Sequence, residues 1–300
     1  ICHPSMANNE LSGPTVLTFL ARWLLEKEKP RYSYRIIFIP ETIGSISYLS
    51  LHHKQMKKRV FAGFNVTCVG DDRAYSYIPS RAGNTISDQV ALHVLKSIDP
   101  NFVKYTWLDR GSDERQYCAP GIDLPIASIM RTAYGRYPEY HTSLDDLENV
   151  VTPKGLEGGY LALRRAMEVI EKNKRYCVTT LGEPQMGKRD LYPTLSLKKS
   201  DKNVDLMMNL ISLCDGKSSL LEIAEYAEKK NVFVSIEYEP YLLIDTSEKV
   251  WNLISSDFKN IGLNLDTCHA EVNGENLSEI ITKFKNKIFH THISDCKNNV

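Results

Sequence analysis

Two histidines, an isolated glutamate and a scatter of aspartates are the residues of this chain best suited to chemistry. His3 sits in a polar loop that runs from Cys2 to Pro14 and also holds Asn8, Asn9 and Glu10. Glu41 follows the apolar run Tyr34–Pro40, Asp71 and Asp72 follow Phe64–Gly70, and His141 opens the stretch Tyr-His-Thr-Ser-Leu-Asp145-Asp146. Together these types serve metal-assisted hydrolysis: imidazoles and carboxylates hold zinc, an open position holds water, and a separate carboxylate takes the water's proton. In that scheme His3 and His141 are ligands, Glu41 is the general base, and Asp145 orients His141 from behind. No compact signature such as His-Glu-x-x-His is present, so the scheme depends on the fold bringing distant residues together. Taken by itself, a lone histidine before an amphipathic helix reads first as a surface turn, and only the residues further along shift that balance.

These residues need elements to position them. Ser12 or Gly13 can cap a helix, and Pro14 fits its first position, where a missing N–H costs nothing. Val16, Leu17, Leu20, Trp23 and Leu24 then recur at helical spacing and predict a core-facing stripe. Tyr34–Pro40 reads as a buried strand, short, apolar and stopped by proline, and Phe64–Gly70 as a second. A helix is expected from about Ser87 to Ile98, with Val90, Val94 and Leu95 inward and His93 on the wet side. Gly121–Met130 reads as a further strand. A long helix follows from Pro153 to Lys172, with Leu161, Ala166, Met167 and Ile170 inward. Strands alternating with helices predict an α/β layered domain. Polar clusters after the strands stand where open sheets of this kind place ligands and catalytic groups.

Asp201 to Lys230 reads as two helices joined by Asp215-Gly-Lys, the second opened by the capping-box pattern Ser219-Leu-Leu-Glu222. A helix pair invites a DNA reading, but Glu222, Glu225 and Glu228 against Lys229 and Lys230 suit a phosphate backbone poorly. From Asn231 the rhythm becomes short strand, helix, short strand. The strands read Val232–Glu237, Ile261–Asp266 and Ile288–Ile293, with Val250, Leu253 and Ile254, then Leu277, Ile280, Ile281 and Phe284, on the helices between. Each strand ends in acid or histidine. Period-2 geometry puts Glu237 with Glu239 on one face, and His290 with His292 likewise. Parallel strands whose carboxyl ends carry polar groups describe the catalytic rim of a (β/α) barrel.

The 300 residues predict one to three domains, and charges balance at 37 against 37, so no global field points to nucleic acid or an anionic membrane. Seven cysteines without a Cys-x-x-Cys pair argue against a disulfide framework or a zinc ribbon and fit a reducing cytoplasm. No run of about 18 apolar residues suits a membrane span. The chain opens inside a motif and reads as a fragment.

Cys2-His-Pro-Ser with Ala7–Gly13, Pro40-Glu-Thr-Ile-Gly44, Gly70-Asp-Asp-Arg73, Gly111-Ser-Asp-Glu114 and Tyr140–Asp145 form one ordered set. In order and context the set resembles the zinc aminopeptidase-like proteins related to bacterial leucyl aminopeptidase and glutamate carboxypeptidase. The likeness runs over residues 1–197, including Leu181–Pro193, and implies a three-layer αβα domain with a mostly parallel sheet. It also implies His3 and His141 as ligands and Glu41 as base. The family's metal-bridging aspartate falls on Asn9, its next ligand glutamate on Thr42, and its strand-borne aspartate near Thr67. With three anionic ligands missing, one zinc ion held by the histidines and Asp72 or Asp113 is expected rather than two. A degenerate site that binds without cutting is the alternative. Ile236-Glu-Tyr-Glu-Pro240, Asn264-Leu-Asp-Thr-Cys-His269 and His290-Thr-His-Ile-Ser-Asp295 resemble xylose-isomerase-like sugar phosphate isomerase/epimerase barrels. That resemblance implies Glu237, Asp266 and His292 as ligands for Mn²⁺, Mg²⁺ or Zn²⁺, with His269 near substrate and a fourth ligand beyond Val300. About 80 residues cannot close a barrel of about 250.

The expected organisation is an aminopeptidase-like domain at 1–197, a helical linker or truncated winged-helix segment at 198–217, and a partial TIM barrel at 218–300, the joint near Ser218 being either a gene fusion or an assembly artefact. The expected function is a cytoplasmic zinc-dependent hydrolase acting on a peptide or small amide, with neither nucleic acid nor membrane as partner. The alternatives are a sugar phosphate isomerase or epimerase fragment and a non-catalytic binding protein.

Overall fold

The structure, a computed structural model, describes residues 3–27, 29–185, 187–189, 202–230, 234–238, 240, 244–254 and 261–293. Glu239, Asp295, the Tyr192-Pro193 end of the aminopeptidase-like stretch and the side chains of Leu206 and Leu253 lie outside the described residues. The chain forms two compact units, Ile1–Glu171 and Lys172–Val300.

The first unit opens with a π-helical turn, Ala7–Leu11, that leads without a break into α1, Ser12–Leu25. Ser12 is therefore not the cap. Its hydroxyl donates back to the Asn8 carbonyl and accepts from the Val69 N–H, which ties the turn to the loop after β1. Val16 and Leu20 are buried, and Leu17, Trp23 and Leu24 are half-buried, as helical spacing requires. Next come α2 (Ile43–Arg59), β1 (Gly63–Asn65), β2 (Ser76–Ile78), α3 (Ile86–Ile98), β3 (Val103–Lys104), α4 (Glu114–Tyr117), β4 (Ile126–Met130) and α5 (Pro153–Lys172). The sheet order is β1-β4-β2-β3, with β1 parallel to β4, β4 antiparallel to β2, and β2 parallel to β3. Every residue of β4 is buried, which is why its sequence is apolar apart from Ser128. Thr85 and Asp88 form a reciprocal capping box at the start of α3.

Four expectations change here. Tyr34–Pro40 forms no strand, because an apolar run carries no information about whether a ladder partner stands beside it. The predicted strand Phe64–Gly70 leaves the ladder after Asn65, and Cys68 then adopts a positive φ of 50°. The inward face of α5 is Ala162, Leu163, Ala166, Val169 and Ile170, whereas Leu161 is exposed. His93 is half-buried rather than on the wet side.

Two glycines decide how tightly the helices clamp the loop after β1. A Cβ on Gly13 of α1 would lie 2.3 Å from the Val66 carbonyl oxygen, and one on Gly155 of α5 would lie 2.0 Å from that of Gly70. Only glycine permits such backbone contact.

The second unit contains β5 (Arg175–Cys177), α6 (Lys202–Leu213), β6 (Asp215–Ser219), α7 (Leu220–Lys229), β7 (Val234–Glu237), α8 (Ser247–Ile254), β8 (Ile261–Asp266), α9 (Thr267–Val272), α10 (Leu277–Phe284) and β9 (Ile288–His292). The link between α6 and α7 is not a bare turn but a strand that pairs antiparallel with β5. The Ser219–Glu222 capping box is formed. Strands β7, β8 and β9 run parallel in that order, and β8 is buried throughout.

Among the described residues no helix is long and apolar enough to cross a membrane. Cys68, Cys118, Cys177 and Cys214 are free thiols, whereas Cys268 is disulfide-bonded.

Candidate functional site

In the first unit the rings of His3 and His141 meet, their centroids 4.3 Å apart and their planes inclined at 47°. His141 adopts a positive φ of 58°, and the Tyr140 ring stacks on it at 3.9 Å. Such a backbone costs on the order of 1–3 kcal/mol, a strain that tends to collect at functional sites. Thr42, next to Glu41, shares it with φ 59°.

Asn9, Glu10, Glu41, Asp113, Arg115 and His141 line one cavity of about 920 Å³. The Tyr34–Ile39 run and the apolar side chains of Leu17, Leu20 and Met167 also contribute to its wall. Arg115 donates to the Thr42 hydroxyl at 2.7 Å and lies 4.0 Å from a Glu41 carboxylate oxygen. Asp113 accepts from the Thr42 N–H at 2.8 Å, and burial raises its pKa above the ordinary aspartate value. The structure thus brings His3, Asn9, Glu41, Asp113 and His141 to one neighbourhood. Asp72 is exposed and does not line the cavity.

Asp145 does a different job from the one expected. Its carboxylate accepts from the N–H groups of Asn8 (2.7 Å) and Asn9 (3.1 Å) and from the Tyr137 hydroxyl (3.0 Å). It therefore holds the π-helical turn rather than His141. Asp71, 1% exposed, is spent in the same way on the Asn8 amide and on the N–H and hydroxyl of Thr132. Fully buried Glu114 accepts from Asn65, Gly111, Ser112 and Tyr134. Sequence reasoning passed over Glu10, whose Oε1 stands 3.5 Å from His3 Nδ1 and accepts from the Asn9 amide at 3.0 Å. A carboxylate directly beside a neutral amide, in a loop that already holds the histidine, was the available signal.

In the second unit the register pairs Glu237 with Asn264 and Asp266 with His292. His292 Nδ1 lies 3.2 Å from Glu237 Oε1 and 3.5 Å from Asp266 Oδ2, and His269 Nδ1 lies 3.9 Å from Glu237 Oε1. One donor atom from each of Glu237, Asp266 and His269 falls within 4.8 Å of the others, the only such trio among the described residues. Burial is the main reason the Glu237 carboxyl is pushed above its ordinary pKa, and His292 opposes that shift. Glu237, Asp266, His269 and His292 are therefore neighbours. His269 is placed as a donor at least as well as His292.

Residues 1–173 match a family described as a domain of unknown function, DUF4910. The chain belongs to that family. Beyond the DUF4910 domain, residues 174–237 match a winged helix-turn-helix family and residues 216–300 a xylose isomerase-like TIM barrel family. A Clostridium acetobutylicum protein, named for polysaccharide biosynthesis and an aminopeptidase-like domain, is 39% identical over 226 residues. The match covers 74% of this chain and 51% of that protein, so the chain spans about half the length of the curated relative it matches. A crystal structure of a peptidase from the same organism superposes with a TM-score of 0.66 at 36% identity, over 76% of this chain and 50% of that one. An aminopeptidase from Aneurinibacillus sp. strain AM-1 aligns at 17% identity and a TM-score of 0.40, over 54% and 39% of the two chains. The DUF4910 domain is thus a mixed α/β unit with a peptidase-like structural neighbour.

Proposed function

We propose that the DUF4910 domain is a zinc-dependent hydrolase of the aminopeptidase type, built on a three-layer αβα arrangement and acting on the amide bond of a peptide or small amide. The observation that carries this reading is the meeting of His3 and His141 beside the cavity that also holds Glu41. The donor set suits one zinc ion, because two imidazoles with a carboxylate form an ordinary catalytic zinc set. Asn9 and Thr42 offer no charge for a second ion. When bound, zinc polarises a carbonyl and lowers the pKa of water.

The chain's own residues do the rest. Glu41 takes a proton at its carboxylate and returns it to the leaving amine. Arg115 fixes the Thr42 turn beside that carboxylate, and Tyr140 holds the His141 ring by stacking. Leu17, Leu20 and Met167 give the cavity an apolar wall for a substrate side chain. Elemental analysis and turnover of leucine p-nitroanilide test the reading. Bound zinc that is lost in His3→Ala and in His141→Ala supports it, and a metal-free native protein counts against it. Glu41→Gln is expected to keep zinc and lower kcat about 10²–10⁴-fold. Zinc without turnover points instead to a degenerate binding site, and Asn9→Asp then gains activity.

A second reading is favoured by the close trio Glu237, Asp266 and His269. In it the second unit is a partial (β/α) barrel of the sugar phosphate isomerase/epimerase type that holds Mn²⁺, Mg²⁺ or Zn²⁺ at the carboxyl ends of β7–β9. Calorimetric titration with Mn²⁺ tests it: binding that disappears in Glu237→Gln supports the reading, and equal binding in both proteins removes it.

A further inference from the structure

We propose that the cavity beside His141 is a channel for a peptide of about six residues, which lies as an added strand along β1 and sets a carboxylate against Arg59. The proposal rests on the hydrolase reading above and names the substrate class of that same site.

β1 is the end strand of its sheet and pairs with β4 alone. Its Gly63 N–H bonds to the Pro125 carbonyl, so Gly63 and Asn65 turn their main-chain groups toward β4. Phe64 stands between them and turns its N–H and carbonyl the other way, as alternation along a parallel strand requires. Ala62–Thr67 and Arg31–Ile39 both line the cavity, and among the described residues no hydrogen bond joins the main chain of Ser33–Phe38 to that of β1. A free strand edge of this kind pairs readily with an added chain. The two linings are fixed beside each other at one place by the Tyr32 ring, which stacks on Phe61 at 5.2 Å. The Glu171 carboxylate anchors the same place by accepting from the N–H groups of Arg31 and Tyr32 and from the Tyr34 hydroxyl.

α2 sets the length of the channel. Glu41 precedes its N-terminus, where Asp113 holds the Thr42 N–H, and Gln55, Met56 and Arg59 of its last turns line the same cavity. The helix has 17 residues, about 25 Å at a rise of about 1.5 Å per residue. Side chains on a helix lean toward its N-terminus, which leaves about 20 Å between the Arg59 head and Glu41, the span of about six extended residues. A leucine anilide covers only the first of these.

Charge runs one way along this length. The acids on the lining, Glu10, Glu41 and Asp113, belong to the His141 end, where Arg115 already faces Glu41. Arg35 is held part-way along α2 by its bond to the Tyr48 hydroxyl at 3.1 Å. Arg59 stands at the far end, exposed and without an ion-pair partner among the described residues. A peptide's ammonium end complements the acids, and a carboxylate further along it complements Arg59. Lys57, Lys58 and Arg59 also suit the C-terminal end of the α2 dipole, a role that by itself gives no substrate preference.

The test compares kcat/KM of the zinc-loaded full chain for the hexapeptide amides LAAAAE and LAAAAQ. The native chain is expected to favour LAAAAE about 10-fold, the effect of one hydrogen bond to a charged group. Arg59→Met is expected to abolish the preference, and Arg59→Glu to favour LAAAAK over LAAAAE, a reversal that keeps the test valid if one variant folds poorly. LAAAAA as free acid against its amide shows whether a chain end serves as the carboxylate, and a preference for the acid that Arg59→Met abolishes supports the channel equally. Single N-methylation along LAAAAE is expected to cost about 10-fold at one inner position, where it removes the donor to the Phe64 carbonyl. Equal rates for LAAAAE and LAAAAQ, a preference retained in Arg59→Met, or tolerance of every N-methylation overturns the channel and leaves the hydrolase reading intact. No turnover, with calorimetric binding of LAAAAE that Arg59→Met weakens, overturns the hydrolase reading and leaves the channel. Neither turnover nor binding overturns both.

Discussion

The two clusters of ionisable residues are assembled by opposite means. At the ends of β7–β9, three parallel strands in register deliver Glu237, Asp266 and His292 to one edge, and the strand period does the positioning. Beside His3 no regular element delivers anything. A π-helical turn, a loop opened by a strained residue and a second loop after an apolar run meet because buried acids hold them there. Regular elements bring ligands together at little cost in other side chains. A site made of loops consumes carboxylates as scaffold, and few remain for chemistry.

Acid replacements put that contrast to its hardest test. Asp145→Ala leaves two backbone N–H groups and a tyrosine hydroxyl without a buried acceptor, so a loss of about 3–5 kcal/mol is expected in urea denaturation. Asp266 instead caps α9 through the N–H groups of Cys268 and His269. Asp266→Ala should cost only about 0.5–2 kcal/mol, and Asp266→Asn less, since asparagine caps equally well. Comparable losses for Asp145→Ala and Asp266→Ala would erase the distinction.

A smaller effect concerns the clamp on the first site. Gly155→Ala drives a methyl group against the Gly70 carbonyl, and about 1–3 kcal/mol of destabilisation is expected from overpacking. A melting temperature unchanged from wild type would show that α5 can move away. Smaller again, Ser219→Ala removes the cap of α7 and should cost about 1 kcal/mol, read from chemical denaturation. The last prediction changes no stability. Burial pushes the Cys68 thiol up to about 12, so it stays protonated at any lower pH. Iodoacetamide at about pH 8, near the ordinary thiol pKa, should therefore label exposed Cys177 and spare Cys68, as peptide mass mapping would read.

The same contrast explains what could be read in the chain. Strands β7, β8 and β9 are legible because each is an apolar run closed by a polar residue, and α1, α3 and α5 because their apolar spacing is strongly helical. α2 gives little signal, since Ile43, Ile46 and Leu51 are all exposed on it. Tyr34–Pro40 has the composition of a strand and lacks only a partner, which no local pattern can supply. Pairing His3 with His141 needed the ordered set of motifs as well as the residue types. The duties of Asp71 and Asp145 escaped because a carboxylate looks the same in sequence whether it receives a cation or a backbone N–H.

Gly13 and Gly155 press two helices against the stretch from Val66 to Gly70 so closely that neither side has room for one more carbon. That stretch works as a fixed keel. An engineer who wants a different substrate should leave it untouched and randomise Arg31–Phe38, the bordering run that stops short of the close contact between Gly44 and Ile39.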